Sequence, residues 1–185
     1  MTRRDQAFLV LRAQSGDREA LDKLFRNVQD RLWRCSLSIV GHHELAEDVL
    51  QDVFVILQKK LTWLREPEYF DGWALRITAR EAIRRATKES RIGRAHDARP
   101  LERVVDERAA DPLERLVAER LKNLVAGVPT ASRAVLVLHY LEELTLPEVA
   151  SVLGIPIGTA KSRLAYGLEF LRKSLADRQS IDSNA

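Results

Sequence analysis

Apolar residues recur at three-and-four spacing along most of this chain, a period that predicts helices rather than strands. Residues 5–14 form a short apolar helix that includes Phe8, Leu9 and Leu11. Gly16-Asp17 then reads as a stop followed by a new N-cap. From Asp17 onward Ala20, Leu21, Leu24, Phe25, Val28, Leu32, Cys35 and Ile39 make one core-facing stripe, which Gly41-His42-His43 breaks.

The next predicted helix, about residues 44–61, divides into two faces at 3.6 residues per turn. Leu45, Ala46, Val49, Leu50, Val53, Ile56 and Leu57 form a wide apolar side. Glu44, Glu47, Asp48, Gln51, Asp52 and Gln58 gather opposite, with no positive charge before Lys59. Such a face is either a plain solvated surface or a docking surface for a basic partner.

After Pro67 the run Tyr69-Phe70-Asp71-Gly72-Trp73 opens a helix in which Arg76, Arg80, Arg84 and Lys88 recur every fourth residue, with Arg85, Arg91 and Arg94 close by. Four-residue steps drift by only about 40° each, so the set lies on one side of the helix. Stacked like charges repel, and a polyanion relieves the repulsion. Phe70 and Ile77 are expected to pack on the preceding helix, whereas Trp73 can pack there or stack on unpaired bases.

Residues 92–112 alternate charges and contain Pro100 and Pro112, the pattern of a linker. A helix restarts after Asp111-Pro112 with Leu113, Leu116, Val117, Leu121, Leu124 and Val125 as its stripe, and Val128-Pro129 turns the chain. Another helix runs from Thr130 or Ala131 to about Leu141. Beyond it, residues 144–175 read as a helix-turn-helix. Val149, Ala150 and Leu153 define a short first helix, and Gly154 with Pro156 ends it. A second helix from Ile157 or Gly158 buries Leu164, Leu168, Leu171 and Leu175. Thr159, Lys161, Ser162, Arg163 and Tyr166 lie in its N-terminal half, the part that enters the major groove in such motifs.

The predicted fold class is therefore all-α, with two small helical domains joined by a flexible linker and a helix-turn-helix in the second. The boundaries are 1–93, a linker at 94–112, 113–176, and a polar, frayed tail at 177–185. The formal net charge of the 185 residues is only +3, so any nucleic-acid site is a local patch. The single cysteine, Cys35, excludes an internal disulfide and reads as a small core residue. No apolar run reaches membrane-spanning length and no signal core follows the N-terminus, which predicts a cytoplasmic protein. His42 and His43 are adjacent and lack a second ligand cluster, so no metal site is expected. Nor is a cofactor: there is no phosphate-cradling glycine loop, no His-Glu-x-x-His pair and no nucleophile-base set, which also argues against an enzyme.

Taken together, Ala46-Glu47-Asp48-Val49 to Leu57, Phe70-Asp71-Gly72-Trp73 to Arg85, Pro129 to Leu141 and Leu144 to Leu175 resemble a bacterial RNA polymerase sigma factor of the extracytoplasmic-function (ECF) type. The run Gly154-Ile155-Pro156-Ile157-Gly158-Thr159-Ala160-Lys161-Ser162-Arg163-Leu164 is the strongest match. The resemblance implies a factor that binds core RNA polymerase and promoter DNA and directs transcription initiation. It gives Asp48, Gln51 and Asp52 a contact role against the coiled coil on the largest subunit's clamp. It gives Trp73, Arg76, Arg80, Arg84, Arg85 and Lys88 to the minus-ten element. Thr159, Lys161, Ser162 and Arg163, with Tyr166 beside them, fall to the minus-thirty-five element. An anti-sigma factor is a further partner implied by the family. The rival expectation is a stand-alone helix-turn-helix regulator that binds a palindromic site as a dimer without polymerase.

The chain departs from the resemblance at two places. Where the family commonly has an asparagine and, four residues on, an aspartate in the minus-ten helix, this chain has Arg80 and Arg84. Recognition of a flipped base by that asparagine does not carry over, and backbone contacts by arginine are expected instead. The second half of the recognition helix reads Ala165-Tyr166-Gly167-Leu168-Glu169-Phe170 in place of the usual His and Arg, which leaves fewer phosphate anchors.

Overall fold

The structure, a computed structural model, describes residues 2–91, 125 and 127–182, with the backbone alone at 90–91 and 177–182. The linker at 94–112 and all but the last residue of the helix expected at 113–125 lie outside the described residues. Helix α1 spans Arg3–Gln14, opened by a reciprocal cap between Thr2 and Asp5. Asp17 caps α2, Arg18–Val40, by accepting from the Ala20 amide, and Gly41 ends it in the left-handed conformation. Helix α3 is His43–Lys60. Two 3₁₀ turns, Leu61–Trp63 and Pro67–Tyr69, lead into α4, Phe70–Arg91. The described C-terminal part holds α5, Thr130–Leu136, which widens into a π turn over Val137–Leu141, then α6, Leu146–Leu153, and α7, Ile157–Asp182.

Helices α1 to α4 close around Val10, Leu24, Leu32, Val49, Val53, Leu57, Phe70 and Leu75, all at most 1% exposed. Phe25 stacks on Phe54 with ring centroids 4.7 Å apart, joining α2 to α3. Two glutamines fasten α1 to the first turn of α4 and to the segment before it. Gln6 donates to Asp71, and Gln14 donates to the Leu61 and Leu64 carbonyls at 2.8 and 2.9 Å. The two Gln14 bonds satisfy carbonyls in and just after the first 3₁₀ turn, at a place where burial would make them costly if left open. Phe70 and Ile77 pack inward as the sequence predicts, and Cys35 is buried. Burial pushes the Cys35 thiol far above its ordinary titration range.

In the C-terminal part α6 crosses α7 where Val149, Ala150 and Ala160 are buried. Gly167 lets α7 approach α5: a Cβ there would stand 2.9 Å from Leu136 Cδ1. The apolar cores of the two parts are continuous, since Ala134, Val135, Val137, Leu138, Val149 and Val152 belong to one cluster with Leu32, Cys35 and Ala79. Arg133, 7% exposed, lies at this junction with its guanidinium against Gly41, and burial lowers its pKa to about 10.

Three expectations change. Phe8 and Leu11 are 61% and 53% exposed, because α1 turns Gln6 and Val10 inward instead. Leu175 is 47% exposed, being past the point where α5 and α6 cover α7. Helix α7 runs on to Asp182, through residues expected to form a frayed tail; residues 176–182 contain no glycine or proline to stop it. The helix expected to run to about Leu141 does end there, through a π turn closed by the Glu142 amide on the Val137 carbonyl.

The caps carry a pH signature. Asp17 is held below its ordinary value of 3.8, first by the Ala20 amide and then by Arg12. Glu148 is held below 4.5 by the hydroxyl and amide of Thr145. Both carboxylates stabilise the fold at neutral pH, and that contribution disappears as pH falls through their depressed folded values. The thermal midpoint is expected to drop between about pH 5 and about pH 3, and D17N/E148Q to flatten that part of the profile.

Candidate nucleic-acid interface

A reciprocal cap sets the start of the helix-turn-helix: Thr145 Oγ1 and its amide both donate to the Glu148 carboxylate, at 2.6 and 2.8 Å. Pro147 in the first turn and Gly154 at φ +66 past the last fix where α6 begins and stops. Ala160 of α7 is fully buried against this scaffold, so the start of α7 is rigidly placed. Lys161, Ser162 and Tyr166 are exposed there, while Thr159 and Arg163 are half-buried. The Ser162 hydroxyl donates to the Thr159 carbonyl at 3.0 Å. The structure thus brings all five residues of the sequence prediction onto the first three turns of one helix, as a surface of hydroxyls and cations.

The basic stripe on α4 is exposed at Arg76, Arg80, Arg84 and Lys88, and half-buried at Arg85. Its guanidiniums bond within the chain, in two directions. Toward α3, Arg85 pairs with Asp52 at 2.9 Å and approaches Asp48 at 4.0 Å, while Arg84 lies 3.9 Å from Asp52. Arg84 also donates to Glu81 at 2.7 Å, a bond that holds its guanidinium above the ordinary pKa. Toward the helix-turn-helix, Arg76 donates to the Ser151 hydroxyl at 3.1 Å, and Arg80 Nε donates to the Val152 carbonyl at 2.9 Å. Gly154 permits that approach, since a Cβ there would sit 3.1 Å from Arg80 Nη2.

Two predicted sites therefore meet. Asp48, Gln51 and Asp52 form one side of a seam whose other side is the arginine stripe; Gln51 stays exposed at its edge. Ion pairs this exposed are worth at most about 1 kcal/mol each, so polyanions or basic partners can displace them.

Trp73 is half-buried and tilts against Phe70 at 6.1 Å, leaving part of its ring at the mouth of a cleft of about 600 Å³. The same cleft is lined by Trp63, Tyr69, Arg65 and Arg76 on one side and by Leu144, Glu148 and Ser151 on the other. Trp63 is 72% exposed, with Lys60 Nζ 5.7 Å from its ring centroid, and Tyr69 is 66% exposed. Neither ring figured among the sequence-predicted site residues. The available signal was the density of aromatics between positions 63 and 73, a stretch otherwise too short and polar to need them for a core.

Among the described residues no group of three or more His, Cys, Asp or Glu is placed to hold a metal ion, and no helix is long and apolar enough to cross a membrane.

The same regions match known families. Residues 24–92 match Sigma-70 region 2 and residues 118–171 match Sigma-70, region 4. The chain is 26% identical to the ECF RNA polymerase sigma factor SigW of Bacillus subtilis, over 91% of this chain and 95% of that one. It is 30% identical to the ECF RNA polymerase sigma factor SigE of Mycolicibacterium smegmatis, over 90% of this chain and 66% of that one. In fold it resembles CnrH, solved in complex with the cytosolic domain of CnrY, at a TM-score of 0.64 and 22% identity over 93% of this chain and 97% of that one. It also resembles the sigma factor RpoE of Bartonella quintana, solved with the anti-sigma factor NepR, at 0.64 and 20% over 84% and 96%. The chain belongs to the sigma-70 family, in its extracytoplasmic-function group. Members of that family are DNA-binding regulators without catalysis of their own.

Proposed function

We propose that this protein is a transcription initiation factor that joins core RNA polymerase in the cytoplasm and directs it to promoters through two DNA-reading surfaces on one chain. Membership of the ECF group carries the factor's role. The observation that carries the division of labour is the pair of basic surfaces, one on α4 and one at the start of α7, each matched to a separate sigma-70 region. In this reading Trp73, Arg76, Arg80, Arg84, Arg85 and Lys88 engage the minus-ten element. Thr159, Lys161, Ser162, Arg163 and Tyr166 read the minus-thirty-five element in the major groove. Asp48, Gln51 and Asp52 meet the polymerase clamp.

The physics favours this arrangement. Two sites of modest affinity on one tethered chain gain from effective concentration once either has bound. Arginines that are only ion-paired at a surface exchange carboxylates for phosphates at little cost. Exposed Trp63 and Tyr69, beside Trp73, offer faces on which bases of an opened strand can stack. One fold relative, RpoE of Bartonella quintana, was solved with an anti-sigma factor bound, and a partner of that kind is expected for this chain.

Run-off transcription with core polymerase on a promoter library tests the reading. Core and factor together are expected to give discrete transcripts that neither gives alone. Tight binding of the isolated chain to a palindromic duplex, with no transcript when core is added, would instead establish a stand-alone regulator.

A further inference from the structure

The cleft of about 600 Å³ has two walls from different parts of the chain, and the promoter reading uses only one of them. On the N-terminal side stand the rings of Trp63, Tyr69 and Trp73 and the guanidiniums of Arg31, Arg65 and Arg76. Across from them Leu144 and Val152 offer apolar contact, with Ser151 and Glu148 as the polar groups. A space of this size encloses a small molecule on several sides.

The bonds already made around the cleft decide what it can take. Arg31 is matched by Glu142, its Nε donating at 2.7 Å to a carboxylate only 8% exposed. Arg76 donates instead to a neutral group, the Ser151 hydroxyl, at 3.1 Å. Among the described residues neither Arg76 nor the exposed Arg65 forms an ion pair. Lys60 adds a positive charge 5.7 Å from the Trp63 ring centroid. The Thr145 amide and hydroxyl share Oε2 of Glu148, which leaves Oε1 to accept from a ligand, and the exposed Glu66 carboxylate lines the same cleft. Trp63 and Tyr69 are exposed, although aromatic faces gain from being covered. An inorganic anion would leave those rings bare, and a neutral aromatic would leave two guanidiniums unmatched. A flat heteroaromatic ring that carries N–H donors and is joined to phosphate uses every group.

We propose that the cleft binds a free purine nucleotide. The base stacks on the Trp63 and Tyr69 side with an N–H directed to Glu148 or Glu66, and the phosphates lie at Arg65 and Arg76 beside the Ser151 hydroxyl. The purine has the larger stacking face, which favours it over a pyrimidine. The binding itself goes beyond the sigma reading. Its consequence rests on that reading: the same rings serve the opened promoter strand, so nucleotide and strand oppose each other's binding.

Isothermal titration calorimetry on the isolated full-length chain, with no polymerase present, tests this. GTP and ATP are expected to bind at one site per chain, and guanosine and inorganic triphosphate each at least about tenfold more weakly. W63A, R65E and S151F, all at exposed positions, are each expected to lower nucleotide affinity at least about tenfold with an unchanged circular dichroism spectrum. S151F is the decisive variant, because it fills the cleft from the helix-turn-helix wall, where the sigma reading places no strand contact. A single-stranded oligonucleotide separates a free nucleotide from a base carried in a strand. Its affinity is expected to fall with W63A and R65E but to stay within about threefold with S151F. Oligonucleotide binding without nucleotide binding would overturn the proposal, as would inorganic triphosphate binding as tightly as GTP, or nucleotide binding indifferent to S151F. If S151F alters the spectrum, W63A, R65E and the comparison with inorganic triphosphate decide the matter. Failure of run-off transcription would reject the sigma reading and leave the calorimetric result standing.

Discussion

Truncating Phe70 to alanine is expected to remove about 3–5 kcal/mol of folding stability, measured by urea denaturation with an unchanged slope. Phe70 is fully buried and begins α4. Its ring belongs to the central apolar cluster, and it supports Trp73 at 6.1 Å. Alanine leaves a cavity that the surrounding helices can collapse only partly, since Val10, Leu57 and Leu75 are themselves fixed by neighbours. The functional consequence is specific: α4 loses the anchor at the end that carries Trp73 and Arg76. Trp73→Ala, at a half-buried position, is expected to cost less stability. A loss below about 1 kcal/mol for Phe70→Ala would show that the ring is not a core anchor.

Arg163→Ala is expected to cost about 1–3 kcal/mol at one base position of the minus-thirty-five element, a change of about 5- to 150-fold in discrimination there. Arg163 lies in the second turn of α7, whose start is fixed by Ala160 against α6. A half-buried arginine on a rigid helix has lost rotamer freedom before binding, so a bidentate contact to a guanine costs little further ordering. Transcription from promoters substituted singly across the element would show the loss confined to one position. Lys161→Ala provides the contrast: a phosphate contact weakens all promoters alike and reduces the salt dependence of binding by about one unit. Equal responses of the two variants across the element would remove the base-reading role from Arg163.

The two results differ in how visible they were before the structure. Phe70 was legible because an aromatic residue at the start of a helix, after a proline turn, has few places to go but inward. The N-cap at Asp17, the glycine stops at 41 and 154 and the capping residues around Thr145 are equally local, each written within four residues of chain. Helix α1 was harder. Phe8-Leu9-Val10-Leu11 is a continuous apolar run, and such a run does not say which side is covered. Packing chose Val10 and, against composition, Gln6, because Asp71 offered that amide a partner.

The arginine stripe shows the division most clearly. Periodicity alone placed Arg76, Arg80, Arg84 and Lys88 on one side of α4, and composition gave that side its charge. What the stripe touches was decided elsewhere in the chain. Asp52 and Arg85 face each other because α3 and α4 pack together with their apolar sides sharing one core. The partners of Arg80 and Arg31 come from beyond residues 92–112, and a helical period carries no information about which distant helix will lie against it. The order of elements, their ends and their apolar faces belong to the sequence, since they rest on contacts between near neighbours. The pairing of faces, the cleft between Trp63 and Ser151 and the closure of the helix-turn-helix onto α4 belong to the tertiary fold. There, burying apolar area and satisfying Glu142 and the Val152 carbonyl act together over separations the pattern does not encode.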